Sequence, residues 1–370
     1  VKIKFPENVK IPNSLKVGTF WQIPVKIHWT FGLLLSLLIF SAYKNGFNLN
    51  QTIGFVLFFL CVFLCVIFHE FGHALMAKKF NVTTRDIILS PIGGVARLEN
   101  LPKNPFQELM ISFAGPAVNL IIAAILIPIL YFGFDTGWPR LDDFKYDKPV
   151  EFFKYLAFVN VGLFIFNLVP AFPMDGGRIL RSVLAMQMDK VRATKIASSI
   201  GKVIAILFIV IGVFFQVLSL SLIGIFIFLM AGLEYKSLRM NELMKTTKAA
   251  DIMKTQFSMI SPEDSYEKII QLYTQSKEKN FLVFAKGNDV VGCIPELYIK
   301  DVLKRENRDF PVKDLINPHF GIFPSQTNLE HLMNVMKEKG LAIVGIEEDQ
   351  MVVGVIDRNL LQNFIILKNS

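Results

Sequence analysis

Apolar residues run along this chain in long, nearly unbroken stretches as far as about residue 235, and in short periodic patterns after it. Six stretches stand out: roughly 27–43, 53–77, 109–134, 152–169, 196–215 and 218–235. A helix needs about 20 apolar residues to cross hydrocarbon. Each stretch therefore predicts a membrane-spanning helix, with the first, fourth and last on the short side. Lys and Arg crowd the segments before the first stretch, between the second and third, between the fourth and fifth, and after the sixth. The intervening loops hold only Lys44, Arg140, Lys145 and Lys148. By the positive-inside rule, that alternation puts residues 1–26 as a tail on the cytoplasmic side, together with the chain's other end.

Past residue 247 the pattern changes to mixed, periodic segments, and two of these are alike about 62 residues apart. Asp251 matches Asp314, Pro262 matches Pro324, and Val291-Gly292 matches Val353-Gly354. Repeats at about 247–306 and 311–367 each read as short strand, helix, strand, strand, helix. The expected fold class is thus a polytopic α-helical membrane protein, a core over 27–236, followed by a soluble α/β repeat module over 237–370.

Composition agrees with this division. The chain is 52% hydrophobic with a mean hydropathy of +0.45, too apolar for an ordinary soluble protein. Its net charge of +8 and pI near 9.2 raise the question of a nucleic-acid partner. The excess cations flank the apolar stretches rather than forming one stripe, so no nucleic acid is expected. Three cysteines, Cys61, Cys65 and Cys293, make no disulfide framework.

The second stretch carries His69-Glu70-Phe71-Gly72-His73. Two histidines four apart on a helix share a face and can reach one zinc ion, and Glu70 can act as general base to a zinc-bound water. Ionisable residues inside a span are expensive there and mark function. A zinc hydrolase needs a third protein ligand. Asp175 is the candidate, because Pro170 and Pro173 break the fourth helix just before it and Gly176-Gly177 follow. Cys61 and Cys65 drift off the metal-facing line of their helix and read as apolar filler. Arg178 and Arg181 read as topology anchors.

HExxH within a span, paired with Asn167-Leu-Val-Pro170 and Asp175-Gly176, resembles the site-2 protease family of intramembrane zinc metalloproteases. Ala114-Gly115-Pro116-Ala117-Val118-Asn119 and Ser90-Pro-Ile-Gly-Gly-Val-Ala96 extend the likeness over about residues 25–236. The resemblance implies one Zn2+ per chain on His69, His73 and Asp175, with Glu70 activating water and Asn119 and Asn167 near the site. It implies a zinc metalloendopeptidase that cuts single-span, membrane-anchored regulatory proteins in regulated intramembrane proteolysis. The loop at 133–150 is too short for an inserted PDZ domain, so the likeness is to the compact type.

The stretch at 86–98 is too short to span and too rich in glycine for a helix. It predicts a strand or hairpin whose edge, around Ile92, Gly93 and Gly94, clamps extended substrate. The C-terminal repeats resemble a tandem CBS (cystathionine β-synthase) module. Such pairs often bind adenine nucleotides through a Thr or Ser and a following Asp, yet the matching positions are Pro295 and Tyr298 in one repeat and Asp357 and Leu360 in the other, so neither keeps the usual ribose-binding pair. Substrate gating, or a homodimer through these modules, is the plainer expectation. A CBS-gated ion or metal transporter is the rival reading of the whole chain, but it gives Glu70 no role between the histidines.

Overall fold

The computed structural model describes residues 14–91, 93–98, 102, 104–134, 148–276, 278–285, 289–304 and 312–369. The loop expected at 133–150 lies mostly outside them. Two units divide between Tyr235 and Lys236.

The first unit opens with strands β1 (Ser14–Phe20) and β2 (Ile23–His28), then helices α1 (Thr30–Lys44) and α2 (Leu49–Lys79). A hairpin of β3 (Thr84–Ser90) and β4 (Gly93–Leu98) leads to α3 (Pro105–Phe134), α4 (Pro149–Leu168), α5 (Asp175–Ala185), α6 (Lys190–Phe214) and α7 (Leu218–Thr246). Five of these helices, α2, α3, α4, α6 and α7, are long and apolar enough to cross a membrane. The first expected span differs. Its first two residues, Ile27 and His28, are half-buried at the end of β2, and the helix proper, α1, has 15 residues. At 1.5 Å per residue α1 is about 22 Å long, short of a hydrocarbon core of about 30 Å.

Of the expected N-terminal tail, the described residues 14–26 lie in β1, β2 and the turn between them. Residues 14–28 complete a four-stranded sheet in the order β1-β2-β3-β4, with β2 parallel to β3 and the other pairs antiparallel. Sequence patterning identified the β3–β4 hairpin but not its partners, because β2 pairs with a strand some 60 residues away (Val25 with Ile87). Ile23, Val25 and Ile87 pack on Phe71 and Ala74, so the sheet rests on the helix that carries both histidines. Buried Asp86 ties three strands together, accepting from Lys26 Nζ at 2.6 Å and Arg97 Nε at 2.6 Å. Burial pushes its carboxyl up, but the two cations prevail and hold it below the usual carboxylate range.

In the second unit, α8 (Tyr266–Gln275), β5 (Phe281–Phe284), β6 (Val290–Ile294) and α9 (Glu296–Leu303) are followed by β7 (Gly321–Pro324), α10 (Leu329–Glu338), β8 (Ile343–Glu348), β9 (Met351–Asp357) and α11 (Arg358–Asn369). β7 runs parallel to β8, and a single parallel bridge, Ile260 to Val283, is its counterpart in the first repeat. The repeats exchange edges. Lys254 bridges Val355 of β9, and Asn317 bridges Cys293 of β6. Leu282, Phe284 and Cys293 share one apolar cluster with Ile343 and Val355, so each sheet is covered by the other repeat. Cys293 is buried there and its thiol is pushed up to about 11, as expected of a packing residue rather than a nucleophile.

Candidate metal centre

Helix α2 begins at a capping box: Asn48 Oδ1 accepts the Gln51 amide at 2.9 Å, and Gln51 Oε1 accepts the Asn48 amide at 3.0 Å. From that start the helical period carries His69, His73, Ala74 and Ala77 onto one buried face. α4 stops at Leu168, and the chain through Pro170 and Pro173 restarts as α5 with Asp175 in its first turn. A carboxylate is favoured there by the helix dipole.

The three residues meet. His69 Nε2 and His73 Nε2 lie 3.1 Å apart, and Asp175 Oδ2 is 3.1 Å from the first and 3.2 Å from the second. One donor atom from each falls within 4.8 Å of the others, and all three residues are buried. The opposite ring nitrogens are engaged elsewhere. His73 Nδ1 donates to the Ile111 carbonyl at 2.7 Å, and His69 Nδ1 to Asn119 Oδ1 at 2.6 Å. Both rings thus turn an Nε2 lone pair towards the carboxylate, the arrangement a zinc ligand needs. Gly115 of α3 leaves room for this, since a Cβ at that position would overlap Nε2 of both imidazoles. Two imidazoles and a carboxylate at this spacing fit a tetrahedral divalent ion with one position left for water.

Glu70 sits beside the cluster, half-buried, and its Oε2 accepts the Ala96 amide of β4 at 2.7 Å. β4 is the outer strand of the described four-stranded sheet, and its Ala96 N–H is turned to Glu70. Gly94 allows the close approach, because a Cβ there would lie 2.7 Å from Glu70 Cγ. Gly93 has φ of +135°, a backbone angle that suits glycine. Ile92 lies outside the described residues.

The remaining expectations divide. Asn119 is fully buried on His69. Asn167 is half-buried and its amide donates to the Leu163 carbonyl of its own helix at 2.9 Å, not to the cluster. Arg181 is not a surface anchor: it is 1% exposed. It donates through Nε to Glu108 at 2.8 Å and through Nη1 to Glu234 at 2.8 Å, while Lys190 reaches the other Glu108 oxygen at 2.7 Å. Its guanidinium also lies 5.1 Å from the centre of the Phe172 ring. This cluster clamps the helix bearing Asp175 to α3 and α7. Charge near a span end had suggested an anchor, and nothing in the local pattern distinguishes one from a buried pair. Asn160 of α4, also buried, was missed as well; its signal was a polar residue in the middle of an apolar run.

Comparison with known proteins bears on this arrangement. The profile described as Peptidase family M50 matches residues 57–147 and 142–211. The zinc metalloprotease MJ0392 of Methanocaldococcus jannaschii is 34% identical over 309 residues, which cover 82% of this chain and 84% of that protein. Among solved structures, the site-2 protease from the same organism aligns with 60% of this chain and 95% of its own, at 34% identity and a TM-score of 0.45. The CBS domain of a bacterial CNNM/CorC family Mg2+ transporter aligns with 36% of this chain and 84% of its own, at 14% identity and a TM-score of 0.33.

Proposed function

The chain belongs to peptidase family M50, the site-2 protease family of membrane zinc metalloproteases, and from that premise we propose that it is an endopeptidase cutting membrane-anchored regulatory proteins in or near their spanning segments. The observation that carries this reading is the meeting of His69, His73 and Asp175 next to Glu70, inside a bundle of apolar helices. His69, His73 and Asp175 are the proposed ligands of one Zn2+ per chain. When bound, zinc would supply Lewis-acid chemistry, polarising a carbonyl and acidifying a water.

The chain's own residues do the rest. Glu70, adjacent to His69 and free to release the Ala96 amide, takes the proton of the attacking water and passes it to the leaving amine. Substrate must reach this carboxylate as an extended strand, because a helix hides its carbonyls in its own hydrogen bonds. The outer edge of β4 around Gly93 and Gly94 would offer backbone partners for such a strand on the Glu70 side. Asn119 holds His69 in the ligating tautomer. We assign the cluster to the cytoplasmic half of the bilayer, from the cation bias of the flanking loops, with the C-terminal unit in the cytoplasm. That unit is, in our reading, a tandem CBS module, supported by the repeated strand–helix–strand–strand–helix order and the exchanged edges.

Glu70→Gln tests the assignment. The purified variant should keep its zinc and lose cleavage of a membrane-anchored substrate by about 10²–10⁴-fold, whereas His69→Ala should lose the metal. Ordinary turnover by Glu70→Gln would overturn the assigned base. Ion flux through reconstituted vesicles, with no cleavage, would favour a transporter.

A further inference from the structure

We infer that Asn160 is a positioning residue for His69, acting through Asn119, and that the polarity of one backbone carbonyl in α4 thereby sets the tautomer of a metal ligand on α2. The inference rests on the reading of His69 as a zinc ligand.

His69 and His73 are held by different means. His73 Nδ1 faces the Ile111 carbonyl, which can only accept, so its proton must sit on Nδ1 and its lone pair on Nε2. His69 Nδ1 faces a side-chain amide, which could offer either an oxygen or an NH2 group at nearly the same place. Were the NH2 of Asn119 turned to His69, Nδ1 would accept, the proton would move to Nε2, and the ligand lone pair would be gone. Something must therefore orient Asn119.

Asn160 does so. Asn119 Nδ2 donates to Asn160 Oδ1 at 2.9 Å, and Asn160 Nδ2 donates to the Leu156 carbonyl at 2.8 Å and to Cys65 Sγ at 3.4 Å. The Leu156 carbonyl can only accept, so it compels Asn160 to point its oxygen at Asn119. Asn119 in turn must point its own oxygen at His69. Both amides have 0% exposure, so no water substitutes for a missing partner. The line Leu156–Asn160–Asn119–His69 crosses from α4 through α3 to α2 with a single direction of donation.

The test is zinc affinity of the full-length protein in detergent, by competition with a chelator, with zinc alone as probe. Asn160→Leu removes the orienting acceptor and should weaken zinc binding about 10–100-fold, the usual range for a lost outer-shell partner. Asn119→Asp should rescue it. A carboxylate presents oxygen to His69 in either orientation, so Asn119→Asp/Asn160→Leu should bind zinc within about threefold of Asn119→Asp alone, the coupling between the two sites having vanished. A merely structural role for Asn160 gives no such rescue. Zinc affinity unchanged in Asn160→Leu, or a double variant weakened as much as the single one, would overturn the proposal. Should Asn160→Leu fail to fold by size exclusion, Asn160→Ala with and without Asn119→Asp decides on the same criteria. His69→Ala is the control: if it binds zinc like the wild type, the ligand assignment falls rather than the relay.

Discussion

Among the described residues, every buried charged side chain belongs to the membrane unit, while the second unit keeps its ion pairs, such as Lys268–Asp264, near its surface. A soluble domain can leave its charges in water, where they contribute little. A helical bundle in lipid cannot, so polar side chains turn inward and must satisfy one another. His69, His73 and Asp175 form one such group, the Asn119–Asn160 relay a second, and Arg181 with Glu108 and Glu234 a third. The contrast teaches where a change will be felt. A polar substitution in the first unit strands a partner with no solvent to turn to, whereas one on the surface of the second exposes its partner to water.

The sharpest way to press that contrast is Arg181→Met. It leaves Glu108, 4% exposed, without its nearest cation, and breaking a buried pair destabilises by about 3–5 kcal/mol. Thermal unfolding in detergent measures this, and Glu108→Gln combined with Arg181→Met should recover part of the loss. A drop below about 1 kcal/mol would mean the cluster behaves like a surface pair, and the comparison would fail at its strongest point.

Asp86 gives an intermediate case, since it is buried but its cations are partly exposed. Asp86→Asn should destabilise by about 1.5–3 kcal/mol near neutral pH, the range for hydrogen bonds to a charged group. Because the folded state depresses this carboxyl, its stabilisation is fully present above the ordinary carboxylate pKa of about 3.9 and is lost as pH falls through the lower folded value. Melting curves of wild type and Asp86→Asn should therefore converge in acid; a gap that persists there would contradict the ionic origin. At the small end, Lys268→Ala removes an exposed pair four residues apart on the surface and should change stability by no more than about 0.5 kcal/mol. A larger loss, read by the same unfolding measurement, would erase the distinction between the units.

Much of the site could be read from the chain. His69 and His73 recur at a helical spacing, Glu70 stands between them, and the prolines before Asp175 announce a helix break, all of which are local patterns. Arg181 and Asn160 were not legible in the same way. A cation near the end of an apolar run looks the same whether it faces headgroups or a buried carboxylate on another helix. A lone asparagine in a span commonly bonds a neighbouring helix, and its partner on α3 lies 41 residues away. The N-terminal strands show the same limit. Alternation in residues 23–28 is brief, and only pairing with β3 turns it into a sheet.

Hydrophobic run length, cation bias and motif spacing thus determined by themselves a membrane bundle, a repeated C-terminal unit and a histidine pair on one helix face, because each depends on residues within one or two helical turns or on bulk transfer to lipid. Which side chain orients the amide on His69 and which carboxylates the buried Arg181 clamps were decided by tertiary packing alone. Those contacts join groups 41 to 73 residues apart, and inside a bundle in lipid each polar atom's partner is set by which helices are neighbours.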